Sequence, residues 1–292
     1  MHYYNRRKFI KLSAGVTGGL LLSSSSSDMP IHETFYNEKK IAAFGLQLYT
    51  LRDDMLKDPN GVLKQVASSG YKQIESYEGP KGMFWGMTNI EFKKLMDALN
   101  MTIISSHCDI NKNFEKKAAD AAAIGMKYLI CPSIDAQKKA DDYKKMAEQF
   151  NQCGEICKKT GIKFGYHNHD HDFKVVDGQI AQDIYMQHTD PALVDFQMDI
   201  YWVVTAGQDP ESWLKKYKNR FRLCHIKDRI KRASERDASC NLGEGSIDFA
   251  NILKTAKQNG MQYYIVEQER YDGTTPMKAI ETDAGYMRKL KI

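Results

Sequence analysis

The stretch Ile162-Lys163-Phe164-Gly165-Tyr166-His167-Asn168-His169 starts apolar and ends in two histidines spaced two apart, with Asp170, His171 and Asp172 just beyond. Read as a strand, it sets His167 and His169 on the same side of a sheet, because strand side chains alternate. Two imidazoles converging from one strand suit a divalent metal. The competing reading is a polar loop that happens to be rich in histidine. What decides between them is whether other segments repeat the same apolar start and ionisable end.

They do, on both sides. Upstream, residues 127–133, 101–109, 71–78 and 42–51 read as strands. The intervening stretches 135–159, 113–124, 88–100 and 60–69 read as helices, three of them closed by Gly161, Gly125 and Gly70. Thr88 with Glu91 forms a capping box at one helix start. Residues 79–87 are a Gly-rich loop carrying Phe84 and Trp85. Downstream, strands are expected at 192–199, 221–228 and 262–269. Helices are expected at 180–188, 201–206, 210–218, 246–259 and 275–290, with a charged loop at 229–245. Asp209 caps the helix that Pro210 begins.

Eight strand–helix units in about 250 residues predict an α/β protein with a parallel sheet wrapped by helices, closed as a single-domain (β/α)8 TIM barrel. The rival is an open doubly wound sheet. It would carry a Gly-rich phosphate turn after its first strand, where this chain has Thr50-Leu51-Arg52-Asp53.

The composition agrees with a globular domain: 292 residues, 42% hydrophobic, seven prolines. The net charge of +5 is spread along the chain with no basic block after residue 11, so nucleic acid has no electrostatic footprint. No apolar run is long enough for a membrane span. Oligomeric state is left open, a homo-oligomer included. The six cysteines are scattered without a CxxC pair, and free thiols are expected.

At the start, Asn5-Arg6-Arg7-Lys8-Phe9-Ile10-Lys11 precedes an apolar segment at 12–22 and a serine run at 23–27. That order reads as a bacterial export signal of the twin-arginine type and implies a periplasmic protein. A disordered basic tail is the alternative. Residues 1–30 are set aside as signal and linker, leaving 31–292 as the barrel.

In such barrels the chemistry sits at the carboxyl ends of the strands. There this sequence places Gln47 and Tyr49, Glu75 and Tyr77, His107 and Asp109, His167 and His169, Asp199, His225 and Lys227, and Glu267 and Glu269. His167, Asp199, His225 and Glu267 are 32, 26 and 42 residues apart, about one strand–helix unit each, so they fall on strands five to eight. Two imidazoles and two carboxylates suit one divalent ion, Mn, Mg, Co, Fe or Zn. The alternative is that each residue caps a strand end and pairs locally.

The ordered set GLQLYTLR, YHNH, QMDIYW, CHIKD, GEGSIDF and YIVEQE resembles the xylose isomerase-like barrels, also called sugar phosphate isomerase/epimerase-like, over residues 42–290. The resemblance implies a single-metal enzyme that abstracts a proton beside a sugar carbonyl through a stabilised enolate, with His167, Asp199, His225 and Glu267 as ligands. Ketose 3-epimerases of that family carry Glu where this chain has His167. The YHNH form is more similar to the inosose dehydratase branch and its exported relatives, some of them lyases on 3-keto-glycosides.

An isomerase or epimerase is therefore the leading expectation, a lyase or dehydratase the alternative, and an exported sugar-binding module without catalysis the third reading. The acid–base candidates are Glu75, His107, His169 and Glu269. Lys227 could donate to an oxyanion or a leaving group, or form a salt bridge with Glu269 or Asp228. Gln47, Tyr49, Trp85 and Trp202 are candidate contacts for a small carbohydrate, the two indoles alternatively being ordinary packing. The GEGS run at 243–246 is the nearest thing to a phosphate cradle.

Overall fold

The computed structural model describes residues 40–292. The twin-arginine-like segment lies outside the described residues. Eight strands close a barrel: β1 (Gly45–Gln47), β2 (Gln73–Tyr77), β3 (Thr102–His107), β4 (Tyr128–Cys131), β5 (Lys163–His167), β6 (Val194–Asp199), β7 (Phe221–Ile226) and β8 (Tyr263–Val266). Every neighbouring pair is parallel, and β1 closes on β8 through Gly45 opposite Ile265 and Leu46 opposite Val266. The open-sheet alternative is thereby excluded. No helix among the described residues is long and apolar enough to cross a membrane.

The helices cover the barrel because each presents an apolar stripe to the strands. The helix Phe249–Gln258 buries Phe249, Ile252, Leu253 and Ala256, at helical spacing. The helix Ala140–Thr160 buries Tyr143, Ala147, Phe150, Cys153 and Cys157 and stops at Gly161, whose φ of 84° is the left-handed cap expected of glycine. The Thr88–Glu91 capping box forms as expected. The six cysteines are free thiols.

Several strands are shorter than the sequence predicts. The first ends at Gln47, because its side-chain oxygen accepts the Tyr49 N–H and turns the chain into the 3-10 helix Leu48–Leu51. The fifth ends at His167, so His169 belongs to the following turn and not to the strand. The Asp172 carboxylate bonds the His169 N–H at 2.8 Å and winds that turn. The helix expected from residue 135 starts at Ala140, whose N–H is capped by Asp177 from a different segment. The charged loop after β7 contains a small hairpin, Asp228–Arg229 against Ser239–Cys240.

Two register shifts set which side chains point into the barrel. Ile74 pairs with Ile103 but Glu75 pairs with Ser105, leaving Ile104 as an extra residue in β3. Phe196 pairs with Phe221 but Gln197 with Leu223, leaving Arg222 extra in β7. Ile104 packs with Tyr128, Ile130, Leu223 and Ile265, side chains of β4, β7 and β8 that meet only inside the barrel. The next residue, Ser105, also faces inward and donates to Glu75. A bulge lets consecutive residues share a face, and this one resets the alternation so that His107 points inward.

Candidate active site

Above that apolar layer lies a polar one. Glu75 is fully buried and accepts hydrogen bonds on both oxygens. Oε1 takes Gln47 Nε2 at 2.8 Å and His225 Nε2 at 2.5 Å, with His107 Nε2 at 3.2 Å. Oε2 takes Ser105 Oγ at 2.5 Å and Gln197 Nε2 at 2.8 Å. A buried carboxylate is costly unless paired and fully bonded, and this one is both. Burial pushes its pKa up, but His107 and His225 outweigh that and hold it well below the usual carboxylate range.

The next layer up holds the expected metal ligands. Asp199 Oδ1 accepts the Trp202 N–H at 3.0 Å and starts the short helix Ile200–Thr205. Asn168 braces the Asp199 backbone on both sides. Asp199 Oδ2 is left buried without a hydrogen bond. It lies 3.7 Å from His167 Nε2, 3.8 Å from His225 Nδ1 and 3.4 Å from the Lys227 ammonium. Glu267 Oε2 lies 3.2 Å from His225 Nδ1 and 3.0 Å from Lys227.

The donor atoms of Asp199, His225 and Glu267 fall within 4.8 Å of one another. His167 groups in the same way with His107 and His225, and reaches the acidic set through Asp199. Bonds of about 2.0–2.2 Å to one ion put its ligands roughly 3–4 Å apart. A carboxylate oxygen that takes no hydrogen bond, with the Lys227 ammonium 3.4 Å away and two imidazoles facing it at that spacing, fits a divalent cation.

The electrostatics follow from burial. Burial holds His167 neutral, its pKa well below the ordinary value, with the neighbouring His225 adding to the effect. For His225 the burial penalty is outweighed by Glu267 and Glu75, which raise it. Burial likewise opposes the charge on Lys227, but Asp199, Glu267 and Glu269 raise its pKa well above the usual, so it is a donor and not a base. Its closest partner is Glu269 Oε1 at 2.5 Å, so the salt bridge considered from sequence is present with Glu269. Burial lowers His169 to about 4.

A cavity of about 680 Å³ opens above these groups. His107, His167, His169, Trp202, Glu267 and Glu269 line it, and Tyr49 stands at its edge, 39% exposed. Asp199, His225 and Lys227 lie buried beside the lining residues they touch. Gln47 and Glu75 lie below, do not line the cavity, and are fully buried. Trp85 is also off the cavity: its indole N–H donates to Ser76 and its ring packs edge-on against Tyr77. The Trp202 ring is covered by Arg236 at 4.1 Å and by Lys227 at 4.8 Å, with His169 tilted against it.

Sequence reasoning missed Gln197, although it stands two before Asp199 on one strand and alternation places it inward. It also missed the cavity wall from the loops after β3 and β4, including Ile110, Asn111 and Ile134. No periodic signal marks those loops. The GEGS run does not offer its amides to a ligand. Asp228 Oδ2 accepts the N–H groups of Gly243 and Gly245 at 2.9 and 3.0 Å, and Oδ1 that of Ile247 at 3.2 Å. The cavity wall itself carries Glu78, Asp109, Glu267 and Glu269 against a single lysine, Lys112, which lies 3.7 Å from Asp109.

Imidazoles and carboxylates gathered at the carboxyl ends of its strands make this closed parallel barrel an α/β barrel with a candidate metal site. This chain belongs to the xylose isomerase-like TIM barrel family, whose model matches residues 63–290. An inosose dehydratase of Clostridium perfringens is 33% identical over 146 residues, covering 45% of this chain and 48% of that protein. The chain thus spans about half the length of the curated relatives it matches. A sugar phosphate isomerase/epimerase structure from Parabacteroides distasonis is 32% identical, with a TM-score of 0.71 over 84% of this chain and 92% of that one. The IOLI protein, solved with a zinc atom bound, shares the fold with a TM-score of 0.66 at 16% identity over 83% of this chain and 95% of that one. Enzymes of sugar isomerisation, epimerisation and dehydration are therefore its relatives.

Proposed function

We propose that this protein is a divalent-metal-dependent enzyme that removes a proton from the carbon beside the carbonyl of an unphosphorylated keto sugar or keto cyclitol. The observation that carries this reading is Asp199 Oδ2, buried and unbonded among His167, His225 and Glu267. These four residues would hold the ion. The zinc in the IOLI structure and the inosose dehydratase relatives support the choice of chemistry. A bound cation there would polarise the substrate carbonyl and favour negative charge on its oxygen.

The chain's own groups do the rest. His107 spends its Nε2–H on Gln197 and Glu75, which leaves Nδ1 to take the carbon-bound proton. A carboxylate behind an imidazole holds it in place and supports the charge it gains, as in hydrolytic triads. Lys227, kept as an ammonium by three carboxylates, spends its three N–H groups on them; with Asp199 and Glu267 turned to an ion, an N–H would be freed for an oxyanion or a departing hydroxyl. Glu75 orients His107 and His225 and does not meet substrate. The filled GEGS amides and the acidic wall give a phosphate no seat, so the phosphate in the names of related proteins does not carry over.

Elimination is the second reading within this scheme. The strand-five residue is His167, so the two-glutamate pair of an epimerase is missing, while an imidazole base and an ammonium donor of unlike kind are present. Incubation of the metal-loaded protein with an inosose and with a keto hexose in deuterium oxide tests both. Deuterium in recovered sugar supports isomerisation or epimerisation; loss of water with an unsaturated product supports elimination. If neither occurs with any divalent ion, the proposal fails. The twin-arginine-like segment further leads us to place the protein in the periplasm; a reporter fused to residues 1–40 and followed by fractionation tests that.

A further inference from the structure

We infer that Gln197 is a positioning residue: it holds His167 in the neutral tautomer that can bind a metal, by accepting the His167 Nδ1–H from beneath. This role rests on the proposed function only for the use the cell makes of that tautomer.

A glutamine side chain has one accepting end and one donating end. Gln197 Nε2 lies 2.8 Å from Glu75 Oε2, and a carboxylate only accepts. Turning the amide over would set its oxygen against that carboxylate and its NH2 against two imidazoles, so the hydrogen-bond network fixes the orientation. Gln197 Oε1 therefore accepts, and it faces two ring nitrogens, His107 Nε2 at 2.7 Å and His167 Nδ1 at 3.0 Å. Both must present N–H.

The two histidines then have opposite tautomers. His107 is protonated on Nε2 and His167 on Nδ1. The lone pair of His167 is left on Nε2, the nitrogen that faces Asp199 Oδ2. The same plate acts on His225, whose Nε2–H goes to Glu75 and whose Nδ1 faces Asp199 and Glu267. Glu75 and Gln197 thus orient three imidazoles at once; His107 and His167 keep their other nitrogens without hydrogen, while His225 Nδ1, 3.2 Å from Glu267 Oε2, carries a hydrogen that an incoming ion would displace. Ligand histidines commonly have their second nitrogen bonded in this way.

His107 has a second acceptor in Glu75 Oε1 at 3.2 Å, whereas His167 Nδ1 has Gln197. Removing the glutamine oxygen therefore affects the two rings differently. His107 keeps its tautomer. For His167 the nearby acceptor becomes Asp199 Oδ2, 3.7 Å from Nε2, and the proton moves there. A proton on Nε2 blocks the ligand position.

The test reads tautomers directly. Long-range proton–nitrogen correlation spectra of metal-free protein carrying isotope-labelled histidine distinguish Nδ1–H from Nε2–H, with His167→Gln and His107→Gln assigning the signals. The native chain is expected to show His167 as Nδ1–H and His107 as Nε2–H. Gln197→Met is expected to move His167 to Nε2–H, leave His107 unchanged, and weaken Zn²⁺ binding by calorimetry about 10- to 100-fold. In Gln197→Glu the new side chain and Glu75 must share one proton, since two carboxylates so close cannot both ionise, and the remaining oxygen still faces His167 Nδ1; the Nδ1–H signal is expected to be retained, which separates this role from mere packing. A native His167 protonated on Nε2 overturns the inference. So does a Gln197→Met protein that keeps the tautomer and the affinity. Native tautomers as stated in a protein that binds no divalent ion would uphold the clamp and overturn the proposed function instead.

Discussion

Gln197 donates to Glu75 Oε2 at 2.8 Å, joining β6 to β2 across the full width of the barrel. Each of the two pairs with a residue that follows a bulge in the neighbouring strand, Ser105 in β3 and Leu223 in β7. Bulges re-aim side chains next to functional sites, and here they bring a carboxylate and an amide together under the candidate metal ligands.

Glu75→Gln should therefore cost more than an ordinary buried polar change. The carboxylate accepts from Gln47, His107, Ser105, Gln197 and His225, and a neutral amide cannot receive all five. A loss of about 3 kcal/mol or more is expected, read from urea unfolding midpoints at an unchanged slope. A loss below about 1 kcal/mol would show that the network contributes little.

Asp199→Asn and Glu267→Gln should each abolish stoichiometric metal binding while leaving the fold intact. Asp199 ends β6 and Glu267 directly follows β8, both on the cavity side of the barrel, so circular dichroism should be unchanged. Metal content after dialysis, by elemental analysis, is the measurement; retention of a full equivalent in both variants would contradict the ligand assignment.

His107→Gln should keep the metal and lose the chemistry. A general base contributes roughly 10²- to 10⁴-fold, so solvent deuterium exchange into substrate should slow by that factor with little change in KM. Equal loss from His169→Gln with His107 variants active would transfer the role to His169.

Asp283 sets a pH dependence far from the cavity. Burial raises its pKa to about 7, although the Leu242 N–H bond works against that. The unfolded chain releases this proton near pH 4, so between about pH 4 and 7 the folded state binds more protons and stability falls as pH rises. The full effect is on the order of 4 kcal/mol. Asp283→Asn should melt higher than the native chain at pH 8 and match it near pH 4; an equal shift at both values would mean that ionisation is not the cause.

Asp228→Ala should uncover the amides of Gly243, Gly245 and Ile247. The expected loss is about 2–3 kcal/mol, and inorganic phosphate should raise the melting temperature of the variant but not of the native chain. A native chain stabilised by millimolar phosphate would reopen the case for a phosphorylated substrate.

The sequence by itself determined the architecture. The repeated apolar start and ionisable end put His107, His167, Asp199, His225 and Glu267 at the carboxyl ends of parallel strands, because strand periodicity and helix stops are local properties. Only the tertiary structure decided what each group faces. Pairing register is set between strands, so the bulge at Ile104 that turns Ser105 and His107 inward leaves no mark within β3 itself. Partners 122 residues apart, such as Glu75 and Gln197, meet only when the barrel closes. That closure moved Glu75 from candidate base to buried anchor, filled the GEGS amides with Asp228, and left Asp199 Oδ2 as the unbonded oxygen around which the site is built.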